Sequence, residues 1–504
     1  MKDLSKTQIR TRIEPGNPQV KEESAPPCTV IIFGALGDLS KRKLIPALYN
    51  LYQEGDLPEH FAVLGLNRDQ TDDHGFRESH KESTDRYSRT KPEKWDAFSN
   101  NLHYIPGDFT ESDSYNKLRV KLEEVEAKHL TEGNRIFYLA TPARFFPLIL
   151  EQLQSANLLH EADGEPWSRV IIEKPFGTDL GSAKELNTLV GKRLSESQTY
   201  RIDHYLGKET VQNILVFRFG NTIFEPLWNR NHIDHVEITA AESIQVEGRG
   251  RFYDQTGVLR DIVQNHLLQV MALIAMEPPV SFEADDIRNE KVQLIHSLRP
   301  MEMGDVIRGQ YQGYKNVEGV GDQSRTPTYV AMKIMVENWR WQGVPFYLRA
   351  GKGLAAKETE VSIHFRSIPL CLFNNDKESQ SVQPNVLTLR IQPEEGISLR
   401  FVSKVPGDDL SVGNVHMDMS YAEAFQKPIS EAYERLILDC MRGNQTLFAR
   451  RDGVEKAWTF ITPILDAWAR DKNSPIAIYE PGSDGPKEAD ALLQRDGRAW
   501  TTIG

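Results

Sequence analysis

Cysteine is scarce in this chain, with only Cys28, Cys371 and Cys440 among 504 residues. An odd number of widely separated cysteines excludes a small disulfide-stapled scaffold, and it lacks the paired spacing of a cysteine zinc site. A chain of this length has room for two or more domains, each with a core of its own. The cysteine usage fits a reducing compartment, and we expect a cytoplasmic protein.

Basic charge is also in deficit, because 60 Lys and Arg face 72 Asp and Glu for a net charge of -12. Non-specific attraction to nucleic acid is therefore disfavoured, and a phosphate ligand needs local basic groups. The chain has no run of about 18 apolar residues, and its start lacks the apolar stretch of a signal peptide. We expect neither a nucleic-acid partner nor a membrane anchor.

The pattern of apolar residues divides the chain into three parts. Residues 1–27 are polar and aperiodic, which predicts a flexible leader, with ordered structure beginning at Cys28. In residues 28–203 short apolar runs alternate with helical segments, which predicts a Rossmann domain with a doubly wound parallel sheet (α/β). In residues 204–504 longer strands mix with helices, which predicts a larger α+β domain on a mainly antiparallel sheet. The predicted strands are 29–33, 61–66, 102–105, 135–140, 169–173 and 199–202 in the first domain, and 236–240, 329–336, 360–365, 386–391 and 398–402 in the second.

A glycine turn follows the first predicted strand, in the stretch GALGDLSKRKL. Gly34 and Gly37 fit part of the dinucleotide fingerprint G-x-G-x-x-G, whose first glycine is replaced here by Ile32. Glycines at such a turn let the backbone approach a pyrophosphate closely. The alternative is an ordinary turn between strand and helix that needs a positive φ.

The second predicted strand ends at Asn67-Arg68-Asp69, where a protein that prefers NAD would carry an acid for the ribose 2′-hydroxyl. A guanidinium instead suits a 2′-phosphate through bidentate contacts, so Arg68 favours NADP. The neighbouring acid Asp69 instead weakens the preference for NADP. A solvated surface arginine is the alternative interpretation.

The stretch RIDHYLGKE, residues 201–209, places Asp203, His204 and Lys208 at the junction between a predicted strand and the helix that follows it. Unpaired N–H groups and the positive end of a helix dipole at such a junction suit an anion such as phosphate. The alternative is an exposed, solvated turn.

His266 lies on an apolar helical stripe together with Val263, Leu267 and Val270. A histidine in that position is often a satisfied core residue. It becomes a base if a carboxylate on one ring nitrogen strengthens the other, and Asp203 has no other assignment. We therefore predict that Asp203 and His266 lie within hydrogen-bonding distance.

Five stretches together resemble the glucose-6-phosphate dehydrogenase family, and they occur in the family's order. They are GALGDLSKRKL, EKPFG, RIDHYLGKE, EGRGRFYDQTGVLRDIVQNHLLQ and NWRWQGVPFYLRAGKGL. The likeness runs from about Cys28 to the stretch GSDGPKEAD near the C-terminus.

The resemblance implies oxidation of β-D-glucose 6-phosphate at C1 to 6-phospho-D-glucono-1,5-lactone with NADP, the first step of the pentose phosphate pathway, without a metal. It implies that His266 is the general base, that Asp203 orients it, and that the Lys174-Pro175 bond is cis. It also implies a homodimer or a dimer of dimers. The substrate contacts that it implies are Lys174, His204, Tyr205, Lys208, Glu242, Asp261, Lys352 and Gln392, and the cofactor contacts are Gly34, Gly37, Lys43, Arg68 and Lys174.

Two other functions remain open on this sequence. A dehydrogenase of a non-phosphorylated sugar offers no reason for the pair His204 and Lys208. A catalytically silent NADP-binding sensor leaves Asp203 and His266 unexplained. NADPH formation with glucose 6-phosphate and with glucose separates the three.

Overall fold

Two β-sheets organise the chain in the computed structural model, which describes residues 24–161, 164–372, 382–408, 411–425 and 429–504. The first sheet has six strands, all parallel, in the order 3-2-1-4-5-6, which is the Rossmann order. This confirms the predicted doubly wound sheet. Its strands are β1 Cys28–Phe33, β2 Phe61–Asn67, β3 Leu102–Pro106, β4 Arg135–Leu139, β5 Ser168–Ile172 and β6 Thr199–Arg201.

Strand β1 shows why the first sheet forms where it does. All six residues of Cys28–Phe33 are buried, because helices cover both faces of the sheet. Ala25 is already buried in the same core, ahead of the predicted start of order at Cys28, while residues 1–23 of the predicted leader lie outside the described residues. The helices of this part are α1 Ile45–Glu54, α2 Asp73–Tyr87, α3 Trp95–Ser99, α4 Ser112–His129, α5 Phe146–Ser155 and α6 Leu180–Gly191.

The second sheet has nine strands in the order 14-13-12-11-7-10-9-8-15. It is mostly antiparallel, as predicted, with two parallel pairs, β7 with β10 and β8 with β15. Its strands are β7 Ile233–Glu242, β8 Val306–Tyr311, β9 Tyr329–Met335, β10 Pro345–Lys352, β11 Glu358–Phe365, β12 Val386–Gln392, β13 Gly396–Lys404, β14 Val412–Ser420 and β15 Ala477–Tyr479.

The two faces of the second sheet differ in chemistry. Along β7, Val236 and Ile238 are buried in the apolar core, whereas His235 and Glu237 point to the opposite face. The C-terminal residues lie against that polar face, since the backbone N–H of Thr501 donates to Glu237. The helices of this part are α7 Glu209–Phe219, α8 Gly250–Val258, α9 Leu268–Ala275, α10 Ala284–His296, α11 Tyr421–Phe425, α12 Ala432–Arg442, α13 Arg451–Arg470 and α14 Asp490–Gln494.

The segment around His266 is helical, as predicted, but its helix type differs from the α-helix that the spacing implied. Leu259–Leu267 forms a π-helix that continues directly into α9, so the segment is helical but not α-helical throughout. His266 is completely buried within it. π-helical turns are frequent at functional sites.

The bond Lys174-Pro175 is cis, as the family resemblance implied. In the described part of the chain, no helix combines the length and the apolar character that crossing a bilayer requires.

Candidate active site

The glycine turn lies at the carboxyl end of β1. Gly34 has a φ of +84°, and a Cβ at this position would stand 2.6 Å from the carbonyl oxygen of Ala140, so only glycine fits. The N–H of Gly37 donates to the carbonyl of Gly34 at 2.9 Å and closes the turn. Because no side chain covers the turn at this position, a dinucleotide pyrophosphate can approach the backbone closely.

Arg68 directly follows β2, at the same edge of the first sheet. Its side chain is 57% exposed, and its Nε lies 2.9 Å from Oδ2 of Asp108. The guanidinium also lies over the ring of Phe109, 5.2 Å from the centroid. The competing acid, Asp69, accepts a hydrogen bond from Asn67 instead. Arg68 therefore stands at the strand end beside which this fold binds the ribose of a dinucleotide.

Asp203 and His266 meet, as predicted, although 63 positions separate them. Oδ1 of Asp203 lies 2.5 Å from Nδ1 of His266, and both side chains are buried. Burial alone would raise the pKa of Asp203, but the positive charge that His266 carries at the low pH where Asp203 titrates, and the hydrogen bond between the two, hold it at about 2. Burial lowers the pKa of His266 below its ordinary value, against the raising influence of Asp203. The pair is thus a carboxylate beside a neutral imidazole.

Lys174 reaches the other nitrogen of the same ring. Its Nζ lies 2.9 Å from Nε2 of His266, and it also donates to the backbone carbonyl of Asp261 at 3.2 Å. The carboxylate of Asp261 lies 3.4 Å from the same Nζ. Lys174 follows the end of β5, and its side chain reaches the π-helix that carries His266.

Two neighbouring aromatic rings frame His266. The ring of Tyr205 stacks on it with centroids 4.3 Å apart, and the ring of His204 meets it edge-on at 4.4 Å. Burial raises the pKa of Tyr205 to about 12, and the nearby carboxylates of Glu242 and Asp261 add to the shift. Burial also holds the pKa of His204 well below its ordinary value. These residues thus lie in one compact cluster.

His204 also lines a large cavity of about 1060 Å³. Lys208, Lys43 and Gln392 line the same cavity, and Lys208 donates to the side-chain oxygen of Gln392. Burial lowers the pKa of Lys208 to about 8. Lys43, which the resemblance placed at the cofactor, pairs here with Glu431 at 2.6 Å. The cavity wall carries the basic residues Lys43, Lys208, Lys357 and Arg390, and it also carries five carboxylates, among them Glu431 and Glu395.

Glu242 and Lys352 occupy opposed positions on the parallel pair β7 and β10. The Nζ of Lys352 forms an ion pair with Oε2 of Glu242 and lies over the ring of Tyr253. Both belong to the predicted set of substrate contacts, and the structure pairs them with each other.

Three residues near the site were not predicted. Lys357 and Tyr433 line the cavity, and Thr359 accepts a hydrogen bond from Nε2 of Gln392 at 2.9 Å. Lys357 stands between the RAGKGL stretch and β11, so its position near Lys352 was the available signal. Tyr433 comes from α12 and had no local signal.

The cluster has the parts needed for proton abstraction. A buried carboxylate on Nδ1 leaves Nε2 of His266 as the basic atom, and a lysine lies within hydrogen-bonding distance of it. One donor atom from each of Asp203, His204 and His266 lies within 4.8 Å of the others, a spacing that could hold a metal ion. Because Asp203 is already engaged on the ring nitrogen, the geometry suits a base and its orienting partner better.

Comparison with known proteins gives consistent matches along the chain. Residues 31–213 match the model of the glucose-6-phosphate dehydrogenase NAD binding domain, and residues 215–501 match that of the C-terminal domain. A glucose-6-phosphate 1-dehydrogenase of Chlamydia pneumoniae is 45% identical over 496 residues, 95% of this chain and 97% of that protein. The enzyme of Aggregatibacter actinomycetemcomitans is 46% identical over 487 residues, 94% of this chain and 97% of that protein.

Solved structures agree with the sequence matches. A glucose-6-phosphate dehydrogenase in complex with its substrate glucose-6-phosphate superposes with a TM-score of 0.87 at 35% identity, covering 95% of this chain and all of that one. The glucose-6-phosphate 1-dehydrogenase of Mycobacterium avium gives a TM-score of 0.81 at 37% identity, with the same coverage. The buried Asp203–His266 pair, the cavity beside it and these matches together establish that the chain belongs to the glucose-6-phosphate dehydrogenase family.

Proposed function

We propose that the chain oxidises β-D-glucose 6-phosphate at C1 to 6-phospho-D-glucono-1,5-lactone and passes the hydride to NADP. This is the first step of the oxidative pentose phosphate pathway. The observation that carries the proposal is the position of His204, whose ring contacts His266 while the residue lines the same cavity as Lys208. A proton-abstracting base thus stands next to a site suited to a phosphate.

In this mechanism His266 acts as the general base. Its Nε2 takes the proton of the C1 hydroxyl, and the carboxylate of Asp203 on Nδ1 stabilises the imidazolium that forms. Lys174 lies 2.9 Å from that Nε2, which places its ammonium to hold the same hydroxyl oxygen. The buried surroundings exclude water from the proton transfer.

When bound, NADP would supply the hydride acceptor, its nicotinamide ring. Gly34 and Gly37 would hold its pyrophosphate, and Arg68 would hold the 2′-phosphate. Lys43 and Lys174 complete the proposed cofactor contacts. The fit rests on the turn at Gly34, which excludes a Cβ, and on the exposed guanidinium at the end of β2.

The phosphate of the substrate would lie in the cavity, held by the charged and donor groups that converge there. Lys208, His204 and Tyr205 would bind the phosphate, with Gln392 next to Lys208. The sugar hydroxyls would meet the remaining predicted contacts, which are Lys174, Glu242, Asp261 and Lys352.

We place a Rossmann domain at residues 28–203 and a substrate-binding and oligomerisation domain at 204–504. The boundary is supported by the first sheet, whose last strand ends at Arg201.

We propose a homodimer or a dimer of dimers, supported by apolar residues that are exposed on β14, among them Val415 and Met417. The free cysteines support a cytoplasmic location.

The proposed function is tested by following NADPH formation with glucose 6-phosphate and with glucose. Rapid turnover of the phosphorylated sugar alone is expected. Equal rates on both sugars would identify a dehydrogenase without phosphate recognition. Binding of NADP without turnover of either sugar would identify a sensor.

Arg68→Ala is expected to raise the KM for NADP at least about tenfold and to leave the KM for NAD almost unchanged. The reason is that a charged contact to the 2′-phosphate contributes roughly 1.5–3 kcal/mol. Initial rates with each cofactor measure both constants. Arg144→Ala, which removes an arginine that stacks on Phe145, serves as the matched control. Equal losses for NADP and NAD would show that Arg68 supports the fold through Asp108.

Asp203→Asn is expected to change the pH profile of kcat/KM. His266 must be neutral to act as a base, so the rate falls as pH drops below its pKa, which burial places under the ordinary value. Removing the carboxylate removes the influence that raises this pKa, so the acid limb is expected to move to lower pH. The plateau should fall by a factor on the order of 10² because the base is weaker. An unchanged limb with a lower plateau would mean that Asp203 acts only on the fold.

A further inference from the structure

A second cluster of histidines and a carboxylate lies on the polar face of the nine-stranded sheet, outside the proposed active site. His235 and His364 are cross-strand partners on β7 and β11, and Glu237 is two positions along on the same face. The two rings stack with centroids 4.1 Å apart. The exposed fractions of the three side chains are 8% for His235, 1% for Glu237 and 17% for His364.

The ligand atoms of this cluster lie within 4.8 Å of one another, with Glu237 close to both rings. Oε1 of Glu237 lies 3.3 Å from Nε2 of His235 and 3.1 Å from Nε2 of His364. Among the described residues, Nε2 of His364 has no partner in hydrogen-bonding geometry, although it is buried. Two ligand atoms of a tetrahedral ion with bonds of about 2.0–2.1 Å are about 3.3 Å apart, which matches both distances.

The outer contacts resemble those of a built metal site. Oδ2 of Asp234 lies 2.8 Å from Nδ1 of His235, which leaves Nε2 of that ring directed at Glu237. A carboxylate on the far nitrogen of a ligating histidine fixes its tautomer and raises its basicity. Two imidazoles with one carboxylate suit zinc and its neighbours rather than magnesium or calcium, which prefer oxygen ligands.

The same residues hold the end of the chain. Oε2 of Glu237 accepts from the backbone N–H of Thr501 at 2.9 Å, and the guanidinium of Arg498 forms two bonds to the carboxylate of Asp234. We propose that His235, Glu237 and His364 bind a divalent transition-metal ion such as Zn²⁺, and that the bound ion secures the C-terminal segment 498–504 against the sheet. The partly exposed side of His364 gives the ion its route of entry.

Zinc binding by the full-length chain, stripped with a chelator and returned to chelator-free buffer, tests the site. Calorimetric titration with Zn²⁺ is expected to show one ion per chain at this cluster, and His364→Gln is expected to weaken its binding by about 10–100-fold or more. His416→Gln, at an exposed position on β14, is the matched control and should bind as the parent does. His364 lies outside the proposed catalytic and substrate contacts, so NADPH formation by both variants should be unchanged and reports their folding.

Two further readouts separate this site from the active-site cluster. Zinc is expected to slow amide hydrogen exchange in residues 498–504 of the parent and not of His364→Gln, because Thr501 donates to the ligating carboxylate. His204→Ala should retain the ion. The proposal is overturned if the chain binds no stoichiometric zinc ion, or if His364→Gln binds zinc as tightly as the parent. It is also overturned if only His204→Ala loses the ion, or if zinc does not change the rate of amide exchange in residues 498–504.

Discussion

His266→Asn is expected to lower kcat by about 10²–10⁴-fold, with a change in the KM for glucose 6-phosphate of less than about fivefold. The imidazole is completely buried, is bonded through Nδ1 to Asp203, and has a pKa that burial lowers, so it is neutral and ready to take a proton. Asparagine keeps a polar group at the position but cannot take a proton at neutral pH. Steady-state rates of NADPH formation measure both constants.

The matched control for this change is His160→Asn. His160 is a half-buried histidine of the first domain that bonds the backbone carbonyl of Gly133, and it has no place in the proposed site. This variant is expected to keep kcat within about twofold. If His266→Asn keeps the parent kcat while circular dichroism shows a native fold, His266 is a core residue and another base must be sought.

Lys208→Ala is expected to lower kcat/KM for glucose 6-phosphate by about 30–150-fold, which corresponds to roughly 2–3 kcal/mol for a lost charged hydrogen bond. Activity on free glucose should change little, because that sugar has no phosphate to hold. The reason is the position of Lys208 in the cavity wall beside His204 and Gln392. His204→Ala should act in the same direction, since the imidazole lies at the same cavity.

Lys208→Arg provides the control for charge. Burial lowers the pKa of Lys208 to about 8, so the ammonium is charged below that pH and loses its proton above it. In the parent, kcat/KM for glucose 6-phosphate should therefore fall as pH rises through about 8 in addition to any other titration. An arginine stays charged over this range, so the variant should lack this fall. Comparable losses on glucose and glucose 6-phosphate in Lys208→Ala would assign the lysine to the fold.

The strands of the first domain could be predicted closely because each is buried on both faces. Cys28–Phe33 and Phe61–Asn67 read as continuous apolar runs that end at turn residues, which is the pattern of a parallel sheet. In the second domain, Ile233–Glu242 was found, but the edge strand Val412–Ser420 was missed. Val415, Met417 and Met419 do alternate with polar residues, so the strand pattern was present in the sequence even though much of the strand is exposed.

Strands β8, β10 and β15 were also missed, and the sequence shows why for β10 and β15. Pro345–Lys352 begins with a proline and carries a glycine near its end, and both residues disfavour strands in sequence analysis. Ala477–Tyr479 has only three residues and forms because β8 lies beside it. Such strands form because a neighbouring strand supplies their hydrogen bonds. That neighbour is distant in the sequence, so a short stretch of sequence does not reveal it.

The residues of the candidate site also divide into those that a local sequence pattern indicates and those that it does not. The glycine turn at Gly34 and the apolar stripe around His266 are local patterns, and they indicated a dinucleotide site and a buried histidine directly. The contact between Asp203 and His266 was predicted from chemical need, since a buried base requires an orienting carboxylate. The order of the family motifs then supplied the remaining substrate contacts.

The sequence by itself determined where the strands and the turn form, and which residue types are available for chemistry. Only the tertiary structure decided how the charges pair: Lys43 with Glu431, Arg68 with Asp108, and Lys352 with Glu242. It also placed His235 beside His364 across two strands. Local patterns follow from backbone geometry within a few residues, whereas an ion pair or a ligand cluster depends on which distant segments the packed core brings together.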